Sequence, residues 1–284
     1  MIMENIALGI ILSQLIIIPV ALKWELDLKT VIPAGLVIGF LAGTGIHLLS
    51  LWFADGFFFR VLTGVVLVVL FAATMLLIRF YRDPVRLSPN GVNCIVSPAD
   101  GVIKYIRSID ESSYPVSSKG NECVKLAQPF LDILPDQKGY LIGIGMSFLD
   151  VHVTRAPIPG KISFCEHVKG SFMSLKKPEA VDKNERVNQV VKNTQYGVGI
   201  IHIASRLVRR IVTYVGQGDD VSLGQKIALI TFGSQVDIIV PKLKGLHLAI
   251  RDGQQVFAGE TIIATMSDSS APEKGDPHDE SSLS

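Results

Sequence analysis

Apolar positions dominate the first eighty residues and then give way to a mixed pattern. Residues 5–21 (NIALGIILSQLIIIPVA) hold no charge, residues 30–53 (TVIPAGLVIGFLAGTGIHLLSLWF) carry only His47, and residues 61–78 (VLTGVVLVVLFAATMLLI) again hold none. Each run is close to the roughly 20 residues a helix needs to cross the hydrocarbon core of a bilayer. From Asn90 onward short β-type runs alternate with Gly, Pro and Asp, as in CIVSPADGVIKYI (94–106), GYLIGIGMS (139–147), GVGIIHIA (197–204) and VDIIVP (236–241). Such runs predict a mainly β (α+β) domain with minor helix. Residues 112–126, Ser-rich with Pro115 and Gly120, read as a loop. Residues 169–193 mix Lys, Asn, Glu and Pro and read as a long connection. The Ser-, Pro- and acid-rich stretch from Ser267 to Ser284 predicts disorder. The expected organisation is a membrane anchor of three hydrophobic helices over 1–82, a folded domain over 83–266 and a tail over 267–284.

The second half contains an internal repeat. GDDVSLGQKIALI (218–230) and DGQQVFAGETIIA (252–264) share Val221 with Val256, Gly224 with Gly259 and Ile227 with Ile262, a spacing of 35 residues. The pattern resembles the two halves of a biotinyl/lipoyl-type hammerhead. In those carriers a modified lysine sits at a hairpin tip between the halves. Here that tip falls near Gly233-Ser234, with no lysine. The expectation is an exposed, tightly turned hairpin with this pair at its apex.

Charge and composition narrow the function classes. The chain has 284 residues, 48% hydrophobic, and a net charge of +1; its mean hydropathy is +0.40. A balanced charge gives no bulk electrostatic case for nucleic acid. Cys94, Cys123 and Cys165 are odd in number and form no C-x-x-C pair, so they read as reduced structural thiols. The Met-Ile-Met-Glu start has no basic stretch and two further apolar runs follow the first, unlike a secretory signal peptide. Lys23 and Lys29 lie between the first two runs, and Arg79, Arg82 and Arg86 follow the third. The positive-inside rule then puts the first loop and the large domain in the cytoplasm, at the cell membrane. Trp52-Phe53, Phe57–Phe59 and Phe80-Tyr81 fall where interfacial aromatic belts would be. The alternative is that one or two runs lie in the interface without crossing.

Three short motifs carry candidate chemistry. In Ser97-Pro98-Ala99-Asp100-Gly101, Pro and Gly bracket a turn that presents a carboxylate, although Asp before Gly is a common turn. In Asp150-Val151-His152-Val153-Thr154-Arg155-Ala156-Pro157, alternation puts Asp150, His152 and Thr154 on one side of an extended segment. In Phe232-Gly233-Ser234-Gln235-Val236-Asp237, glycine before serine leaves an uncrowded carbonyl open to attack by the serine hydroxyl.

SPADG, DVHVTRAPIPG, the Asn184-Glu185-Arg186 triplet, the stretch Ala204…Val208-Arg209-Arg210-Ile211, and FGSQVDIIVP stand in the order seen in phosphatidylserine decarboxylases. Over roughly residues 80–265 the chain resembles the shorter prokaryotic branch of that family. One departure is Phe232-Gly233-Ser234-Gln235, where the family pattern is Leu-Gly-Ser-Thr; it bears on the rate of self-cleavage. The resemblance implies that Ser234 attacks the Gly233 carbonyl and that the chain breaks between them. A large fragment, 1–233, and a small one, headed by a pyruvoyl group made from Ser234, would remain together. The pyruvoyl carbonyl is then the Schiff-base site for the amine of phosphatidylserine, and the products are phosphatidylethanolamine and CO2, with no metal required. Ser234 needs a base, for which His152 is the candidate, able to serve again as the acid. Asp100 is the candidate partner of His152, and Asp150 a rival. Arg155, Arg209 and Arg210 are candidates for the substrate's phosphate or carboxylate, and a solvated β-edge accounts equally for the last two. Arg79, Arg82 and Arg86 could attract anionic headgroups at about 1 kcal/mol each, or act only as topology determinants. Two other readings remain at this point. One is an archaetidylserine decarboxylase with ether-linked tails and the same chemistry. The other is a non-enzymatic, membrane-tethered hammerhead adaptor. The sequence leaves dimerisation open.

Overall fold

A computed structural model describes residues 1–24, 26–53, 56–89, 93–110, 128–147, 149–169, 185–204, 211–230 and 235–266. The chain divides into two compact units, Met1–Arg82 and Asp83–Ser284.

The first unit holds three helices, α1 (Ile2–Lys23), α2 (Leu28–Ser50) and α3 (Phe57–Phe80). All three are long and apolar enough to cross a membrane. Asp27 caps α2: its carboxylate accepts from the Lys29 amide at 3.1 Å and from the Thr30 hydroxyl at 3.0 Å. Gly35, Gly39 and Gly43 recur every four residues and so share one face of α2. That face lies directly on α1. A Cβ at Gly39 would sit 2.6 Å from the Ile10 Cα, and one at Gly43 2.5 Å from the Ile6 Cα. Small residues at such spacing let two backbones touch where lipid offers no hydrophobic drive to associate. Polar side chains add to the seam, with Ser13 Oγ donating to the Gly35 carbonyl at 2.5 Å and Gln14 Nε2 to the Ile32 carbonyl at 3.3 Å.

The second unit is built largely of short strands. In chain order they begin with β1 (Cys94–Val96) and β2 (Gly101–Ile109). A short helix α4 (Gln128–Leu131) precedes β3 (Gly139–Gly145), β4 (Val153–Arg155), β5 (Gly160–Val168), β6 (Arg186–Lys192) and β7 (Gly197–Ile203). Then come β8 (Ile211–Thr213), β9 (Asp220–Val221), β10 (Lys226–Ile230), β11 (Gln235–Pro241), β12 (Leu246–Leu248), β13 (Gln255–Val256) and β14 (Ile262–Met266). Eight strands form one sheet in the order β13-β2-β3-β11-β7-β6-β5-β9, and two three-stranded sheets run β1-β14-β12 and β4-β10-β8. Among the described residues every pairing is antiparallel.

The large sheet is covered on both faces, which is why its central strands read as continuous apolar runs. Val236, Ile238 and Val240 of β11 join the main core with Ile142, Ile144, Val198 and Ile200. Ile239 faces the other way, into a smaller core with Leu141, Ile201, Phe130, Ile133 and Leu134. Gly199 makes room for that second layer, since a Cβ there would meet the Phe130 ring at 2.6 Å.

Two expectations change. The connection expected over 169–193 contains β6, which pairs with both β5 and β7. Its sequence RVNQVVK hides this because Asn188 and Gln189 are polar yet buried; Asn188 Nδ2 donates to Glu166 at 3.3 Å. The hairpin expected around 233–234 is not formed by its flanking strands. β10 belongs to a three-stranded sheet and β11 to the eight-stranded one, and residues 231–234 between them lie outside the described residues. Residues 112–126 and 267–284 lie outside the described residues.

The repeat itself has a clear structural counterpart. Each copy is a two-residue strand, a tight turn and a five-residue strand, β9–β10 and β13–β14. Gly224 (φ 72°) and Gly259 (φ 75°) take the left-handed conformation that glycine adopts without strain. They also face each other: a Cβ on Gly259 would lie 3.4 Å from the Gly224 Cα. Val221 and Val256 are both buried, but the third pair breaks the symmetry, with Ile263 rather than Ile262 taking the core position beside Ile227.

Candidate active site

One end of the eight-stranded sheet gathers the motifs that the sequence scattered over 140 residues. Across that end Val102 pairs with Gly145, Gly145 with Gln235, Gln235 with Ile203, and Ile203 with Arg186. SPADG therefore ends on this row, the segment leading to Asp150–Pro157 leaves from it, and β11 enters it directly after Ser234. The Ala204 and Glu185 segments meet there too, the Ala204 amide donating to the Glu185 carbonyl at 3.0 Å. Asn184, Arg209, Arg210, Gly233 and Ser234 lie outside the described residues.

His152 is fully buried just ahead of β4. Its carbonyl accepts from the Ile230 amide at 3.1 Å, four residues ahead of Ser234. Its Nδ1 lies 2.9 Å from the Asp150 carbonyl. A carbonyl can only accept, so Nδ1 carries a proton, and in the neutral form of the ring the lone pair lies on Nε2. Asp150 thus contacts the imidazole through its main chain, while its carboxylate accepts from the Ser147 amide at 2.6 Å.

Asp100 is also buried. Its two oxygens accept from the Ala258 amide at 2.8 Å and from Arg86 Nη2 at 2.7 Å. Burial pushes its carboxyl above the usual carboxylate range; the Ala258 amide and the Arg86 charge pull against that, and the nearby Asp150 adds to it. Gly101 permits the position, because a Cβ there would fall 2.5 Å from the Gly145 carbonyl oxygen.

Three residues around this edge were given no role from the sequence. His202 is buried on β7, with Nδ1 3.3 Å from the Val187 carbonyl and Nε2 3.0 Å from the Thr154 hydroxyl. Loss of solvent lowers its pKa to about 4, so the ring is neutral near pH 7. Tyr105 and Asp237 hold Gln235: Gln235 Nε2 donates to Asp237 Oδ1 at 2.7 Å and to the Tyr105 oxygen at 2.9 Å, and the Tyr105 hydroxyl donates to Asp237 Oδ2 at 2.9 Å. The residue after Ser234 is therefore fixed at the start of β11 by buried polar partners. A polar residue alternating with Ile and Val in a strand (GIIHI, QVDII) was the available sign.

Arg155 does not present an open guanidinium. Nη1 donates to the Gly224 carbonyl at 3.0 Å, and Nη2 to Asp83 at 2.7 Å and the Pro84 carbonyl at 3.2 Å. These bonds tie the segment after Arg82 to the repeat. Cys94 and Cys165 are free thiols, and burial pushes Cys94 up; Cys123 lies outside the described residues.

Comparison with known proteins agrees with this geometry. The sequence model of the phosphatidylserine decarboxylase family matches residues 73–264. A protein of Methanocaldococcus jannaschii, named provisionally as an archaetidylserine decarboxylase proenzyme, is 39% identical over 186 residues, covering 65% of this chain and 87% of the relative. The phosphatidylserine decarboxylase proenzyme of Wolbachia pipientis is 37% identical over 203 residues, covering 71% and 80%. That of Erythrobacter litoralis is 38% identical over 188 residues, covering 65% and 71%.

Proposed function

Because this chain belongs to the phosphatidylserine decarboxylase family, we propose that it cuts itself between Gly233 and Ser234 and then converts phosphatidylserine to phosphatidylethanolamine and CO2. The observation that carries this reading is the meeting of SPADG, the His152 segment and the start of β11 at one sheet edge. In the cut, Ser234 Oγ attacks the Gly233 carbonyl carbon and the amide nitrogen leaves as an amine, giving an ester. Loss of the residue 234 α-proton then breaks the ester C–O bond and frees the Gly233 carboxylate. Water enters, ammonia departs, and a pyruvoyl terminus remains.

A serine hydroxyl is a weak nucleophile near pH 7 and needs a neighbouring base. His152 fits the role through an imidazole whose orientation is set by the Asp150 carbonyl and through its main-chain bond to the strand that leads into Ser234. Asp100 is the acidic group that would steady the charge on His152. Gln235, held by Tyr105 and Asp237, fixes the chain just after the reacting residue. The pyruvoyl carbonyl would supply an electron sink for the charge left by CO2 loss. The buried, two-sided sheet edge fits such a group, since exclusion of water protects it.

The apolar helices fit a substrate whose tails stay in lipid, and the loop charges favour a cytoplasmic β unit. The facing glycine turns of the repeat support a hammerhead-like origin for that part of the fold. The family match leaves no place for the non-enzymatic adaptor. The Methanocaldococcus relative supports archaetidylserine as the second reading, with identical headgroup chemistry. A denaturing gel and mass spectrometry test the proposal. Active protein should give two fragments, the smaller headed by a pyruvoyl group, and Ser234→Ala should abolish both cutting and activity. An unbroken chain that still decarboxylates would overturn it. Assay with diacyl and ether-linked serine lipids separates the two substrates.

A further inference from the structure

The segment Asp83–Ser88 runs extended from the end of the first unit's sequence and is pinned along its length. Asp83 pairs with Arg155 at 2.7 Å and with Lys226. Arg86 reaches inward, with Nη2 2.7 Å from Asp100 and Nη1 2.6 Å from Glu260. The Leu87 amide donates to Glu260 at 3.4 Å and Ser88 Oγ to the Leu223 carbonyl at 3.4 Å. The guanidinium also lies over the Phe257 ring, 5.5 Å from its centre. Val85 and Leu87, on either side of Arg86, point out and are 91% and 83% exposed. Arg86 points the opposite way from these two and ends on the buried carboxylate of the SPADG turn.

We propose that Arg86 is a positioning residue for self-cleavage: the strap Asp83–Ser88, directly after the membrane helices in sequence, seats the guanidinium that holds the Asp100 carboxylate in place and ionised. This rests on the reading of Asp100 as a site residue. Asp100 faces Arg86 and the Ala258 amide, with Asp150 nearby and Glu260 on the far side of the guanidinium. Arg86 is thus the cation that opposes the cost of a buried negative charge there. Without it the carboxyl would hold its proton to higher pH. Whatever unseats the strap then also slows the cut, so the segment joining the anchor to the domain acts on the chemistry.

The test follows self-cleavage of the full chain made by cell-free synthesis into phosphatidylglycerol/phosphatidylcholine nanodiscs, read as fragments on denaturing gels from about pH 5 to about pH 9. Arg86→Met should slow cutting about tenfold near neutral pH and move the acid limb of the profile up by about one pH unit. Arg86→Lys, which restores the charge and one donor, should bring the limb back toward that of the unaltered chain. Cutting by Arg86→Met at the unaltered rate, or slowed by one factor at every pH, would overturn the proposal; so would an Arg86→Lys limb displaced as far as that of Arg86→Met. Asp100→Asn separates the two claims. If it cuts normally, the site reading of Asp100 fails and the strap has nothing to position. If it is blocked while Arg86→Met cuts normally, only the role of the strap fails.

Discussion

Glycine serves opposite ends in the two halves of this molecule. In the helical unit Gly9, Gly39 and Gly43 are regular helix positions whose value is an absent side chain, letting α1 and α2 touch backbone to backbone. In the β unit Gly224 and Gly259 matter for a left-handed turn that other residues resist. The apolar surface differs in the same way. Val37, Leu62 and Leu70 of the helices point outward, while Ile142, Ile200 and Ile238 are closed off on both faces of a sheet. The lesson is that the helices have the pattern suited to a solvent of lipid, where association rests on fit, and the strands the pattern suited to water, where it rests on burial.

Four substitutions would break or sharpen that contrast. Ile238→Ala, in the middle of β11, should cost the β unit about 3–4 kcal/mol in chemical denaturation and leave the helices' circular dichroism unchanged. The second effect is one of pH. His202 has a folded pKa of about 4 against an ordinary 6.5, so its contribution is present above 6.5 and lost as pH falls toward 4. Stability of the β unit should therefore drop by about 3 kcal/mol across that window, and His202→Gln should flatten the slope in urea titrations run at a series of pH values. Third, Gly39→Leu should weaken α1–α2 packing by about 2 kcal/mol or more. Faster proteolysis of the loop between those helices in nanodiscs would report it, with the melting of the β unit unmoved. Last, Gly259→Ala should cost ~1 kcal/mol by strain at positive φ, measured as a small fall in the denaturation midpoint of the β unit alone.

The sequence disclosed the elements with simple periods and missed those with mixed ones. The three apolar runs matched α1, α2 and α3 because uninterrupted apolarity has one common meaning over some twenty residues. The repeat was visible because Val, Gly and Ile recur at fixed offsets. β6 was missed because it is buried on both faces, with Asn188 on one and Gln189 on the other, so no alternation survives. At the site, Asp100 and His152 were legible as residue types within motifs, and the structure joins the two segments where the Arg155 amide donates to the Pro98 carbonyl at 2.8 Å. Arg86 was readable only as a charge following the third run. Its partner Asp100 is close in sequence, yet Glu260 is far away, and no local pattern announces a pairing over such a distance. Tyr105 and Asp237 were hidden for the same reason, their meeting being set by strand register.

The way β11 and β14 are threaded through the fold has a consequence for a protein severed at 233/234. β11 lies between β3 and β7, β13 beside β2, and β14 between β1 and β12. Of the described strands C-terminal to the break, β11, β13 and β14 are thus each paired with strands N-terminal to it. The nick would free no piece: the two polypeptides would remain one object in solution, inseparable until the sheets themselves melt.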